Sequence, residues 1–252
     1  MMSNYFKLDS WATKFLGINS YICDIKNELE KNKVNKFLNS LNERAFITIK
    51  IPTQNVSDSI FLQENNFKLI DTLIKYSATP NEVIQSVRFN KYQNNLKIRE
   101  ANNKDIDIIS KLASISFKSS RFNLDPYIDN QSAKKLKYEW ARNFFKGNRG
   151  DNLFIAESKF NRKIIGFILM LDSIDPLNKL NISCIDLIAV DSKNLRKGIA
   201  LSLIKYASNF YKSKINSIHV GTQAVNITAN RLYQKLNFKT YESKYIFHYH
   251  KK

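Results

Sequence analysis

"VDSKNLRKGIALSLIKYA", residues 190–207, decides how the chain is read. The run before it, Cys184 to Val190, is apolar except for Asp186, and after it Ile199, Leu203, Ala207 and Phe210 recur at helical spacing. The pattern predicts a strand, a short loop holding Arg196, Lys197 and Gly198, and a helix. Such a loop aims several backbone N–H groups, reinforced by the positive end of the helix dipole, at whatever sits above it. That is a pocket for an anion, most naturally a phosphate. The plain alternative is that Gly198 only permits the turn and that Arg196 and Lys197 are solvated.

Two other stretches extend the pattern. "TIKIPTQNVSDSIFLQENNFK" (48–68) and "SIHVGTQAVNITANRLYQKLNFK" (217–239) both read strand, Thr-Gln, helix, then Q-x-x-N-F-K. A weak internal repeat with a period of about half the chain follows, two related αβ units rather than a solenoid. The first copy has no counterpart of the anion loop and carries Leu62 where the second has Tyr233. Any chemistry therefore belongs to the second unit.

The polar joint in "FNKYQNNLKIREANNKDID" (89–107) places a boundary near Gln93 to Leu96, giving domains 1–95 and 96–252. Beyond it a strand at 97–100 precedes a helix capped by Asn103, with Ile106, Ile109, Leu112, Ala113 and Phe117 at the 3.6 period. A second helix is expected over 133–145, then strands at 152–158 and 164–172 joined by the turn "KFNRK". The strand at 184–190, the anion-loop helix, the strand "SIHVG", a helix over 226–236 and a last strand "SKYIFHY" complete the unit. The fold class is α/β, a mixed sheet with helices on its faces.

Composition narrows the function classes. The 252 residues, 43% hydrophobic and 12% aromatic, suffice for one large domain or two ordinary ones. No apolar stretch is long enough for a bilayer span, and "MMSNYFKLDSWATKF" lacks the basic-then-apolar order of a signal peptide, so a cytoplasmic protein is expected. Cys23 and Cys184 lie far apart in apolar surroundings, as reduced residues do. A net charge of +18 favours polyanionic partners, though the basic residues are scattered lysines without long blocks. His248 and His250 share one side of a strand, but His219 is the only other histidine, so no metal is expected.

In this order of elements the chain resembles the GNAT superfamily of acetyl-CoA-dependent acyltransferases over residues 97–250, with an N-terminal, degenerate GNAT-like half for which "FLQENNFKLIDTLIKYS" (61–77) is a good likeness. The family's phosphate loop, [Q/R]-x-x-G-x-[G/A], falls on "LRKGIA" (195–200): Gly198 and Ala200 match, Leu195 departs from Gln or Arg, and Arg196 is displaced by one. The resemblance implies that Arg196, Lys197, Gly198, Ile199 and Ala200 bind the cofactor's phosphates. It further implies that Leu187, Ile188, Ala189 and Val190 offer a splayed strand edge to the pantetheine arm, and that Asn226 caps the next helix and bonds that arm. Tyr233 would face the thiol, where a phenol can protonate a departing thiolate; on spacing alone it is a core residue beside Ala229, Leu232 and Leu236. Asn237 takes the helix-ending place usually held by glycine. Asp186 and Glu139 are carboxylates that could take the amine's proton.

The stretch 117–158 is similar to "SRF…DP…A…Y…W…N…G" of those GNAT enzymes, of the TDP-fucosamine acetyltransferase type, that acetylate amines on nucleotide-activated deoxysugars. Ser120, Arg121, Phe122, Asp125, Pro126, Ala133, Tyr138, Trp140, Asn143, Gly147 and Asp151 carry the match. The resemblance implies substrate binding by Ser120, Arg121, Phe122, Asp125, Tyr138 and Gln223, and surface-glycan synthesis as the setting. Arg121 offers a planar donor fork to a diphosphate, and Phe122, Tyr138 and Trp140 offer faces for a base or sugar ring. As structural alternatives, Trp140 and Tyr138 are core and Arg121 pairs with Asp125. The partners expected are acetyl-CoA and a nucleotide sugar, with nucleic acid disfavoured and the oligomeric state, a homodimer included, open. Two rival functions stand beside this one: a GNAT acetylating a protein N-terminus or a small polyamine, and a non-catalytic nucleic-acid-binding module on the same fold.

Overall fold

Strand alternation and helix caps set the elements of the computed structural model, which describes residues 5–86, 93–175 and 178–252. The N-terminal half runs β1 (Lys7–Leu8), α1 (Ser10–Leu16), β2 (Asn19–Asp24), α2 (Lys31–Ser40), β3 (Ala45–Pro52), α3 (Val56–Glu64), β4 (Lys68–Ala78) and α4 (Pro80–Gln85). The C-terminal half begins with β5 (Leu96–Glu100), α5 (Ile106–Ser116), α6 (Arg121–Leu124), α7 (Asn130–Phe145), β6 (Asn152–Ser158) and β7 (Ile164–Ile174). It continues through β8 (Asn181–Val190), α8 (Ile199–Tyr211), β9 (Ser217–Gln223), α9 (Ile227–Lys235) and β10 (Lys239–Lys251). Of the expected joint, residues 89–92 lie outside the described residues; Leu96 opens β5.

All ten strands of the described residues form one sheet, ordered β1-β2-β3-β10-β4-β9-β8-β7-β6-β5. The last strand therefore does not close the C-terminal unit upon itself. β10 pairs antiparallel with β3 of the first half, while β4 of the first half pairs antiparallel with β9 of the second, and β10 and β4 pair with each other in the middle. Each half lends its final strand to the other, and the run β3-β10-β4-β9 reads the same from either end.

The repeat is visible in backbone detail. Asn66 and Asn237 both stand at φ 64°, and the next residues, Phe67 and Phe238, return their N–H groups to Leu62 and Tyr233. This ends both helices with a left-handed asparagine and a buried phenylalanine. Two expected boundaries shift. Asn102, not Asn103, makes the cap before α5, because its partner in the capping box is the carboxylate three residues on, Asp105. The helix expected from Ala133 begins at Asn130, because Asp129 accepts the N–H groups of Gln131 and Ser132.

Alternation along β3 divides the sheet into two faces. Ile47, Ile49 and Ile51 are fully buried in a core with Leu62, Phe67 and Phe247, whereas Phe46, Thr48 and Lys50 face the other way. On that second face α1, α6 and α7 cover one end through Phe15, Phe46, Phe122 and Leu136. At the other end α5 and α7 cover Leu153, Phe167, Leu187 and Ala189. A charged strip remains between the two apolar patches, and the candidate site lies there.

Candidate active site

β8 and β9 part company in mid-strand. They pair in parallel from Ile182↔Ser217 to Ile185↔Val220 and no further. Beyond that point β8 keeps β7 on one side, Leu187↔Leu169 through Val190↔Gly166, and β9 keeps β4, Gly221↔Lys75 through Gln223↔Leu73. Asp186 is an extra residue opposite the Leu169/Met170 step, a β-bulge that turns β8 away as the gap begins. Leu187, Ile188, Ala189 and Val190 thus present a strand edge with no partner strand among the described residues. An amide-bearing chain can add to such an edge as a further strand.

Helix α8 starts at the mouth of this gap. Arg196 at φ 62° and Gly198 at φ 72° turn the chain in the left-handed region, and Gly198 is the N-cap of a 13-residue helix. A Cβ on Gly166 would lie 3.1 Å from both Ala189 O and Ile199 Cγ2, so this glycine lets α8 approach the strand edge closely. Arg196 is exposed, and Lys197 is held back toward the loop, Nζ donating to Lys193 O at 3.2 Å and Asn194 Oδ1 at 3.0 Å. Ile199 is buried under the helix.

Across the gap, Asn226 accepts the Ala229 N–H and donates to Thr222 Oγ1, so its capping role is present. Asn230, which the sequence did not single out, donates to the carbonyls of Gln223, Ala224 and Asn226 and accepts from Tyr76 Oη at 2.8 Å. It ties the end of β9 to α9; an interior asparagine one turn from the cap was the only trace of it in the sequence. Tyr233 is 3% exposed, its ring against Tyr76 and Phe238, and Oη makes no hydrogen bond among the described residues. Burial raises its pKa, with Cys184 and Tyr76 adding to the effect, so the phenol keeps its proton.

The second face of the sheet supplies the neighbouring cleft. Asp186 is fixed by Arg149, with Nε at 2.7 Å and Nη2 at 2.5 Å, and by Trp140 Nε1 at 2.7 Å. Trp140 in turn lies between Lys137 Nζ and the Arg149 guanidinium, 4.0 and 4.6 Å from its ring. Glu139 pairs with Lys146 instead. Lys244 pairs with Asp24 and Glu242, and Lys75 with Glu242. Lys137 and Arg121 have no carboxylate partner among the described residues, and burial lowers both, to about 8 and about 10. Asp71 on β4 leaves Oδ2 buried and unbonded, and burial pushes its carboxyl up to about 6.

Arg121 does not pair with Asp125. Its Nη1 donates to Thr48 Oγ1 at 2.5 Å and lies 3.4 Å from His248 Nε2. Asp125 instead accepts from His248 Nδ1 at 2.6 Å and His250 Nε2 at 2.8 Å, both on Oδ2. These three residues are the group among the described residues whose donor atoms lie close enough to share a metal ion. A cation there would have to displace both hydrogen bonds and sit beside a guanidinium. Phe122 is core beneath Arg121, Ser120 Oγ bonds Asn123, and Tyr138 lies along α7 against Arg142. Gln223 stands at the gap, its side chain without a hydrogen bond among the described residues. The structure thus gathers Leu187 to Val190, Gly198 to Ala200, Asn226, Tyr233 and Gln223 around the gap, with Arg121 in the adjoining cleft and Tyr138 apart.

Burial, opposed by Asp125, holds the His248 imidazole down at about 4 from its ordinary 6.5. The unfolded chain takes up that proton below about 6.5 and the folded chain only below about 4, so stability should fall as pH drops through this window. Urea midpoints at pH 7 and 4.5 test this: His248→Gln should flatten the slope, and an unchanged slope would refute a neutral buried imidazole.

The candidate site thus consists of a gap between parallel strands, a left-handed glycine at a helix start and a buried phenol. Residues 149–240 match the family model for the acetyltransferase (GNAT) domain. Over these residues the chain carries a GNAT acetyltransferase domain, which supports an N-acetyltransferase. Over 211 residues it is 26% identical to the spore coat polysaccharide biosynthesis protein SpsD of Bacillus subtilis (strain 168), covering 82% of this chain and 68% of SpsD. A tandem GNAT protein from the clavulanic acid biosynthesis pathway shares the fold with TM-score 0.63 at 7% identity, over 93% of this chain and 76% of that one. A conserved protein of unknown function from Staphylococcus epidermidis ATCC 12228 does so with TM-score 0.62 at 13% identity, over 94% and 87%.

Proposed function

We propose that this enzyme moves an acetyl group from acetyl-CoA to the amine of a nucleotide-activated amino-deoxysugar, by direct attack in a ternary complex, during synthesis of a surface glycan. The observation that carries the acceptor is the pair of half-buried cations without carboxylate partners among the described residues, Arg121 and Lys137, beside the gap. An anionic acceptor would supply the charge they lack. A polyamine or a peptide N-terminus brings further positive charge to the same cleft and is disfavoured. The glycan setting agrees with the name of SpsD.

On the donor side, the residues present fit acetyl-CoA. The edge of β8 suits an amide-bearing arm, and the start of α8 with Gly198 suits a pyrophosphate. The donor supplies a thioester carbonyl for the amine to attack. Tyr233 holds a proton at Oη for the departing sulfur, and Asp71, with its unbonded oxygen, takes the proton the amine sheds, through solvent. Burial and Asp186 push the Cys184 thiol up to about 11, so it stays protonated, is a poor nucleophile, and no acyl-enzyme is needed.

A thiol-release assay with acetyl-CoA and a panel of dTDP- and UDP-linked amino-deoxysugars should give turnover on one of them. Acetylation of a polyamine or peptide with none of the sugars accepted would overturn this reading. Lys137 adds a pH test. It is charged below about 8, so the acceptor's KM should rise about tenfold as pH passes from 7 to 9, while Lys137→Arg should flatten the rise. A KM that climbs equally in both proteins would remove Lys137 from the acceptor site.

A further inference from the structure

A cavity of 380 Å³ opens on the same face of the sheet, about five residues along β4 from the gap. Arg44 before β3, Asn66 and Lys68 at the start of β4, Tyr127 and Asp129 from the α6–α7 connection, and His250 near the end of β10 line it, with Lys251 and Lys252 at its rim. Four cations thus face one carboxylate. That carboxylate, Asp129, is occupied by the first N–H groups of α7, and Lys251 Nζ is occupied by Leu41 O. The side chains of Arg44, Lys68 and Lys252 make no hydrogen bond or ion pair among the described residues.

Aromatic surface accompanies the charge. Phe46, His250 and Tyr127 form a tier, with ring centroids 5.0 Å apart for the first pair and 5.2 Å for the second, and Tyr127 at its top is 66% exposed. His248 is the wall between this cavity and the acceptor cleft, lining the one and meeting Arg121 in the other. From Lys68, in the cavity, to Leu73, paired with Gln223 at the gap, β4 rises roughly 17 Å. A sugar on a diphosphate spans such a distance, leaving the nucleoside at the far end.

We infer that this cavity is a nucleoside diphosphate subsite, its phosphates held by Arg44 and Lys68 and its base stacked on Tyr127. The inference rests on the acceptor reading above and places the nucleotide end of that acceptor against the N-terminal half. Free cations gain most from phosphate oxygens, and an exposed ring above a buried aromatic tier is a stacking platform that accepts different bases.

The test is calorimetric titration of the full chain with UDP and with dTDP, alone and with saturating coenzyme A. One or both should bind in either condition. Arg44→Glu with Lys68→Glu should weaken binding at least tenfold and leave coenzyme A binding unchanged, which also checks the fold. Tyr127→Ala should weaken the nucleotides but not inorganic pyrophosphate. Absence of nucleotide binding, competition with coenzyme A, or binding that survives the charge reversal would overturn the subsite. Turnover on a nucleotide-linked amino sugar with KM unchanged in the reversed variant would keep the reaction and remove the cavity. Nucleotide binding here with no such sugar acetylated would keep the cavity and remove the acceptor.

Discussion

Replacing Gly198 by glutamate should abolish acetyl-CoA binding. At φ 72° a side chain strains the backbone by about 1 kcal/mol, and a carboxylate at the N-cap of α8 occupies the ground on which phosphates would rest. The charge matters more than the strain. Gly198→Asn, which tolerates the left-handed region, should therefore retain most of the affinity, while Gly198→Glu should bind at least a hundredfold more weakly by calorimetry. Equal loss in both would make the site one of backbone shape alone, and normal binding by the glutamate variant would move the cofactor elsewhere.

Tyr233→Phe should lower turnover about a hundredfold, the usual scale for one proton donor, with acetyl-CoA affinity within about twofold of wild type. The ring stays to fill the space against Tyr76 and Phe238, and no hydrogen bond to the described residues is lost, so the melting temperature should not move. The first half of the chain makes the packing point independently: the equivalent position is Leu62, fully buried in its own core. A hydrophobe satisfies the slot, so the hydroxyl is there for something else. A fall in kcat matched by a fall in thermal stability would return Tyr233 to the core.

The parts of this site that were legible in the sequence are those fixed by local backbone geometry. Gly198 and Asn237 mark left-handed turns, the period of α8 marks its buried face, and Q-x-x-N-F-K marks two equivalent helix ends. Each depends on a few consecutive residues. What escaped depends on neighbours brought from afar. Arg121 was read beside Asp125, four residues on, but its partners are Thr48 and His248 on strands of both halves. Asp186 is a candidate base by its sequence position, but Arg149 and Trp140 donate to its oxygens. The cap at Asn102 was missed by one place because two adjacent asparagines can both cap, and only the position of Asp105 chooses between them.

The exchanged strands also bear on how the chain is made. β3 lies against β10, roughly 200 residues later in the sequence. At about 5–20 residues per second of synthesis, the edge of β3 waits roughly 10 to 40 s on the ribosome for its partner. Throughout that interval an isoleucine-rich strand, paired with β2 on one side only, leaves its other edge open as a template for association with other nascent chains. Co-translational folding of the first half is thereby left unfinished until the final strand emerges, and a truncation that removes β10 should disable the half farthest from it in sequence.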